Sequence, residues 1–134
     1  MKPKTASILV IEEHLLMRGS LCAAIEAEPD LSVLEAYANA ADAFALQVST
    51  QQDVLFLYQK PDLILWALGN PGLEDLQALE KLSQAWRGIP ILALTRAELP
   101  GQEQEALAHG ARAALTKSAS RSEILQTLRT IRSI

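Results

Sequence analysis

Leu63-Ile64-Leu65-Trp66-Ala67-Leu68 is an unbroken apolar run, preceded by Pro61-Asp62 and followed by Gly69-Asn70-Pro71-Gly72. With no polar alternation, such a run suits a strand buried on both faces. Asn70-Pro71-Gly72 breaks it before a helical pattern begins at Leu73. A strand of this kind needs cover on two sides, and the remainder of the chain must provide it.

The rest of the chain alternates in the required way. Ala6–Ile11 is a buried-strand pattern that ends abruptly at Glu12-Glu13-His14. A helical stretch follows, with Leu15, Leu21, Cys22 and Ile25 able to share a broad apolar face, and Glu28-Pro29-Asp30 stops it. Leu31–Ala36 is a second, weaker strand. From Ala40 the pattern is helical through Phe44, Ala45 and Val48, and Val48-Ser49-Thr50 interrupts it. Thr50 and Asp53 have capping-box spacing, so either a second short helix runs through Val54, Leu55 and Tyr58 or one long helix has a weak middle; Pro61 ends both versions. Leu73, Leu76, Leu79 and Leu82 mark a third helix, closed by Trp86 and Gly88. Ile89–Leu94 is a fourth strand ending at Thr95. Pro100-Gly101 is a turn before a short helix over Gln102–Ala108, with Gly110 as its left-handed stop. Ala113–Leu115 is a fifth strand ending at Thr116-Lys117. Ser120 and Glu123 cap a last helix whose inner face carries Ile124, Leu125, Leu128 and Ile131.

Five strands alternating with helices predict an α/β fold, a parallel sheet covered by helices on both faces. In such sheets chemistry sits beyond the carboxyl ends of the strands. Those ends carry Glu12 and Glu13, Ala67, Thr95 and Lys117. Residues 1–134 suit one domain, long enough to bury roughly two-thirds of its unfolded surface. No run approaches the ~20 apolar residues of a membrane span, and the basic start Met1-Lys2-Pro3-Lys4-Thr5 does not lead into a signal-peptide pattern. The one cysteine, Cys22, fits a reducing cytoplasm and reads as a small apolar packing residue. A net charge of −4 and pI near 5.1 argue against direct nucleic-acid binding.

In this order and spacing, Ile8–His14, Arg18, Pro61–Leu65 with Pro71-Gly72, Ile91–Thr95, His109-Gly110-Ala111 and Thr116-Lys117 resemble the receiver domain of two-component response regulators. Arg18 and its surroundings are similar to the subgroup that precedes helix-turn-helix DNA-binding domains. The resemblance implies a flavodoxin-like (βα)5 three-layer sandwich, here with a lengthened second helix region. It also implies an acidic pair that holds a divalent cation, a phosphoacceptor aspartate, and a hydroxyl and an ammonium that grip phosphoryl oxygens. Glu12 and Glu13 match the pair with one extra methylene each, Thr95 and Lys117 match the grip, and Ala67 stands at the aspartate position. The family's aromatic switch position is matched by Ala114. The expected protein is therefore a pseudo-receiver in the cytoplasm, no enzyme, that signals through protein partners without aspartyl phosphorylation and without a tightly held cofactor, Mg²⁺ binding being weak.

Other readings stand beside this one. Glu12-Glu13 could serve a helix N-terminus as an acidic pair, and Lys117 is expected to form an ion pair with Glu12 or Glu13. His14 reads as a helix-start residue and His109 as a helix-end cation, too far apart in sequence to form a metal site. Val54, Phe56 and Tyr58 belong to a segment apolar all round, either packed on the sheet or offered as an interaction surface. A homodimer through Gln102–Ala108, Ala113–Thr116 and the last helix is similar to what receivers form. The alternative functions are the input domain of a DNA-binding transcriptional regulator and a small-ligand sensor using the vacated pocket.

Overall fold

A computed structural model describes residues 5–52, 59–68, 73–96 and 100–132. The element order is β1 Ala6–Ile11, α1 Leu15–Glu26, β2 Leu31–Tyr37, α2 Ala40–Gln52, β3 Leu63–Ala67, α3 Leu73–Ala85, β4 Ile91–Thr95, α4 Gln102–Ala108, β5 Ala113–Thr116 and α5 Arg121–Arg132. All strands are parallel, in the order β2-β1-β3-β4-β5. β3 lies at the centre, paired with β1 through Leu63–Trp66 and with β4 through Ile64–Ala67. The expected flavodoxin-like α/β sandwich is therefore the observed one.

Strand alternation divides the core into two layers. Leu63, Leu65 and Ala67 face one side, where they pack with Leu21 and Ile25 of α1 and Ile124, Leu125, Leu128 and Ile131 of α5. Ile64 and Trp66 face the other, against Ala43 of α2, Leu79 and Leu82 of α3, and Ala106 of α4. Every residue of β3 is buried, and so is every residue of β4. Cys22 packs at the margin of the α1–α5 layer, and burial pushes its thiol up, so it stays protonated at neutral pH.

Two sequence expectations are corrected. α2 runs unbroken through Val48-Ser49-Thr50 to Gln52. The two hydroxyls bond backward within the helix, Ser49 Oγ to the Ala45 carbonyl at 2.9 Å and Thr50 Oγ1 to the Gln47 carbonyl at 2.8 Å. Thr50 thus sits inside a helix and does not cap a new one. Val54, Phe56 and Tyr58 lie outside the described residues. Leu15 does not join the inner face of α1, being 71% exposed. It occupies the first turn, past the end of β1, where the sheet offers no side chains to cover it. His14 starts α1 as expected, without a side-chain cap bond. At the other end of the chain, Ser120 Oγ accepts a bond from the Glu123 N–H at 3.1 Å and caps α5 as its spacing predicts.

Two local contacts between elements are testable. Gly110 has φ of 116°, and a Cβ added there would run into Oγ and Cβ of Ser83 on α3. Gly110→Ala should therefore lower stability by about 1–3 kcal/mol in chemical denaturation. Pairing it with Ser83→Gly should restore only the steric part, because that change removes both Oγ and Cβ while the backbone strain remains.

Arg129 on α5 donates to both carboxylate oxygens of Asp30 at 2.9 Å and also bonds Glu28, clamping α5 to the turn before β2. The Arg129 hydrogen bonds hold the Asp30 carboxyl below the usual carboxylate range. A carboxylate with a depressed folded-state pKa stabilises above its unfolded pKa, and that contribution is lost as pH falls through the folded value. Arg129→Gln should therefore be less stable than the parent near neutral pH, with the gap narrowing below pH ~4 as thermal melts are taken into acid.

Candidate functional site

The strand order reverses between β1 and β3, which opens a crevice outside their carboxyl ends. Glu12 enters it directly from β1. Its N–H donates to the Tyr37 carbonyl at 2.9 Å, and its own carbonyl accepts from the Arg18 guanidinium at 2.9 Å. With its backbone held on both sides, the side chain turns inward and is only 1% exposed. Neither carboxylate oxygen has a hydrogen-bond partner among the described residues. The nearest compensating charge is Lys117 Nζ, 3.8 Å away. Burying a carboxylate is costly unless a charge or donors offset it, and here the ammonium does so.

Lys117 is aimed from the end of β5. Its N–H donates to the Thr95 carbonyl at 2.7 Å, in register with the Thr95–Thr116 pair that closes the β4–β5 ladder. Thr95 is itself buried, and its hydroxyl reaches the Leu115 carbonyl at 3.4 Å, a long bond that orients the side chain weakly. Ala67 ends β3 at 4% exposure, its methyl turned to the α1–α5 layer, while Trp66 points the other way as alternation requires. Ala114 is half-buried and packs against the opposite layer.

The two glutamates part company. Glu13 is turned to solvent, its side chain 58% exposed and its carboxylate 3.8 Å from His14 Nε2. Successive residues of an extended segment face opposite sides, so one carboxylate enters the crevice and its neighbour leaves it. Neither lies in the first turn of α1, which holds no acidic residue, so the reading as a helix-dipole pair is not what is seen. Among the described residues no three His, Cys, Asp or Glu side chains converge as a metal-binding group. His109 ends α4, with Nδ1 2.7 Å from the Glu105 carbonyl.

Sequence reading missed a cavity of about 250 Å³ between α1 and α5. Ala67 and Lys117 line it, joined by Met17, Leu21 and Ala24 from α1 and Arg121, Ile124 and Leu125 from α5. The amphipathic pattern of both helices was legible, but the gap between them depends on how far apart they sit over the sheet. Leu15 and Leu16 continue the apolar surface of α1 outward, at 71% and 87% exposure.

A parallel sheet of this order with these residues at its carboxyl edge matches a known family along most of the chain. Residues 8–129 match the response regulator receiver domain. The chain belongs to that family. The receiver is 25% identical over 125 residues to the transcriptional regulatory protein UhpA of Salmonella typhimurium, covering 93% of this chain and 58% of that protein. It is 28% identical over 123 residues to the nitrate/nitrite response regulator protein NarL of Escherichia coli, covering 92% of this chain and 53% of that protein. It thus spans little more than half the length of these relatives. Among solved structures it superimposes on a LuxR-family two-component response regulator from Aurantimonas sp. SI85-9A1, with a TM-score of 0.80 and 25% identity over 97% of this chain and 86% of that one. The signal receiver domain of the putative response regulator NarL from Mycobacterium tuberculosis shares the fold, at a TM-score of 0.77 and 21% identity over 98% of both chains. Receivers are signalling modules. No helix among the described residues is long and apolar enough to cross a membrane.

Lys117→Met would leave the Glu12 carboxylate buried without its counter-charge. A loss of about 1–3 kcal/mol is expected in urea unfolding, below the full cost of breaking a buried pair because Lys117 is partly solvated. Adding Glu12→Gln to that variant should recover part of the loss, since the uncompensated charge is then gone.

Proposed function

We infer that this receiver signals without aspartyl phosphorylation, through contacts with protein partners. The observation that carries the reading is the methyl group of Ala67 at the carboxyl end of β3, in the position the family resemblance gives to the phosphoacceptor. A methyl group cannot attack a phosphoryl donor or form an acyl phosphate. The neighbouring charges support the same conclusion. Glu12 faces Lys117, and Glu13 faces solvent. Mg²⁺ demands near-ideal octahedral oxygen geometry, so one buried glutamate already opposite an ammonium should bind it weakly. Ala114, at the switch position, has no ring to swing between two states. The Glu12–Lys117 pair would hold the crevice in one conformation.

The reading assigns the chain no catalytic step and goes with a cytoplasmic location. Leu15 and Leu16 on α1 are large apolar residues left in water, and they suit a protein contact. Leu107, 48% exposed on α4, would contribute to a homodimer through α4, β5 and α5. A second reading, the input domain of a DNA-binding transcriptional regulator, is favoured by the transcriptional regulatory protein UhpA, of which the matched segment covers only 58%. The two readings are compatible, since a receiver can govern an output domain by contact alone.

Incubation with acetyl phosphate or phosphoramidate and Mg²⁺ should leave the intact mass unchanged, whereas a hydroxylamine-labile phosphoryl adduct would overturn the reading. Ala67→Asp should remain inefficiently labelled, because Glu13 still points outward and Ala114 still lacks an aromatic ring. Rapid Mg²⁺-dependent labelling of that variant would show that the crevice retains working phosphotransfer geometry.

A further inference from the structure

The cavity between α1 and α5 has two chemically distinct parts. Its buried lining is apolar, formed by Leu21 and Ala24, Leu65 and Ala67, and Ile124 and Leu125. Its solvent-reaching lining includes Met17, Ser20, Lys117 and Arg121. Both charged lining residues are cations, and no carboxylate lines the space. Glu12 approaches Lys117 at 3.8 Å, beyond hydrogen-bond length, so the Lys117 N–H donors are not taken up by it. The Arg121 guanidinium forms no hydrogen bond or ion pair with any described residue. It is also the first residue of α5, a twelve-residue helix whose positive dipole end adds to the field at the mouth.

The geometry points to a binding site for a small amphipathic anion, an alkyl or aryl carboxylate with its tail over Ala67 and its head between Lys117 and Arg121. The apolar floor excludes a bare phosphate, which would be desolvated there without partners. The cationic mouth disfavours a neutral hydrocarbon relative to an acid of the same length. Drug-sized sites begin at about 300 Å³, so a space of about 250 Å³ suits a medium-chain acid. A residue with no functional group at the end of β3 keeps the floor apolar, which an aspartate would not. The inference concerns the cavity and its two cations and does not depend on how the chain signals. Phosphoryl labelling, measured on the same sample, reports on the other proposal separately.

The test is titration of the ¹⁵N-labelled protein with octanoate and, in parallel, with octanol, both well below micelle formation. Octanoate should shift the amides of Ala24, Ile25, Ile124 and Leu125 saturably, and should bind about tenfold more tightly than octanol, as expected when charge-assisted bonds fix the head group. Arg121→Ala should weaken octanoate about three- to tenfold and leave octanol unchanged. Ala24→Leu should fill the cavity and abolish both. If that variant fails to fold, Ala67→Leu provides the same block from the sheet side. Equal binding of acid and alcohol would overturn the proposal. So would shifts scattered over other surfaces, an absence of saturation, or a response only to anionic phosphatidylglycerol vesicles.

Discussion

β3 has no solvent face, and most of this domain's architecture answers to that constraint. Leu63 to Leu68 are all within a few percent of complete burial. A strand of that kind is stable only with a paired strand on each edge and a helix layer on each face. The chain supplies β1 and β4 at the edges, α1 and α5 on one face, and α2, α3 and α4 on the other. The same arrangement carries the ends of β1, β3, β4 and β5 to one rim. The site is thus a by-product of covering the central strand, and its location follows from the hydrophobic effect before any functional side chain is considered.

The rim holds one buried charge pair. Glu12 and Lys117 come from opposite ends of the chain, and each is positioned by backbone bonds that belong to the sheet: Glu12 through Tyr37, Lys117 through Thr95. Such a pair adds little net stability over well-packed apolar residues, but removing either member is costly. It therefore acts as a constraint on conformation. In a receiver whose β3 ends in alanine, that constraint acts with no carboxylate at this position to compete for the ammonium. Beside it, the α1–α5 cavity brings an apolar floor and two cations to the same edge of the sheet.

The fold was legible because period and punctuation agreed at nearly every element. Apolar runs ended at polar residues, Ser120 capped α5, and Gly110 took the positive φ its place demanded. Misreadings arose where a local rule competed with packing. Ser49 and Thr50 looked like an interruption of α2, yet their hydroxyls bonded back to preceding carbonyls and the helix continued. Leu15 fitted the helical period of α1 but lay a turn beyond the sheet, so its exposure was set by where the strands stop. Glu12 and Glu13 looked equivalent in the chain, and only the direction of the backbone leaving β1 separated them.

Residue order by itself determined the parallel α/β class, the two-sided burial of β3, and the identity of the residues at the strand ends, alanine among them. Those properties depend on period, chain direction and handed crossovers, which act along the chain. Tertiary structure decided which glutamate is buried, that Lys117 meets it, that Leu15 and Leu16 stay in water, and that a cavity opens between α1 and α5. Each of these depends on distances between segments remote in sequence, and such distances are set by how side chains of different volume fill the space over a twisted sheet.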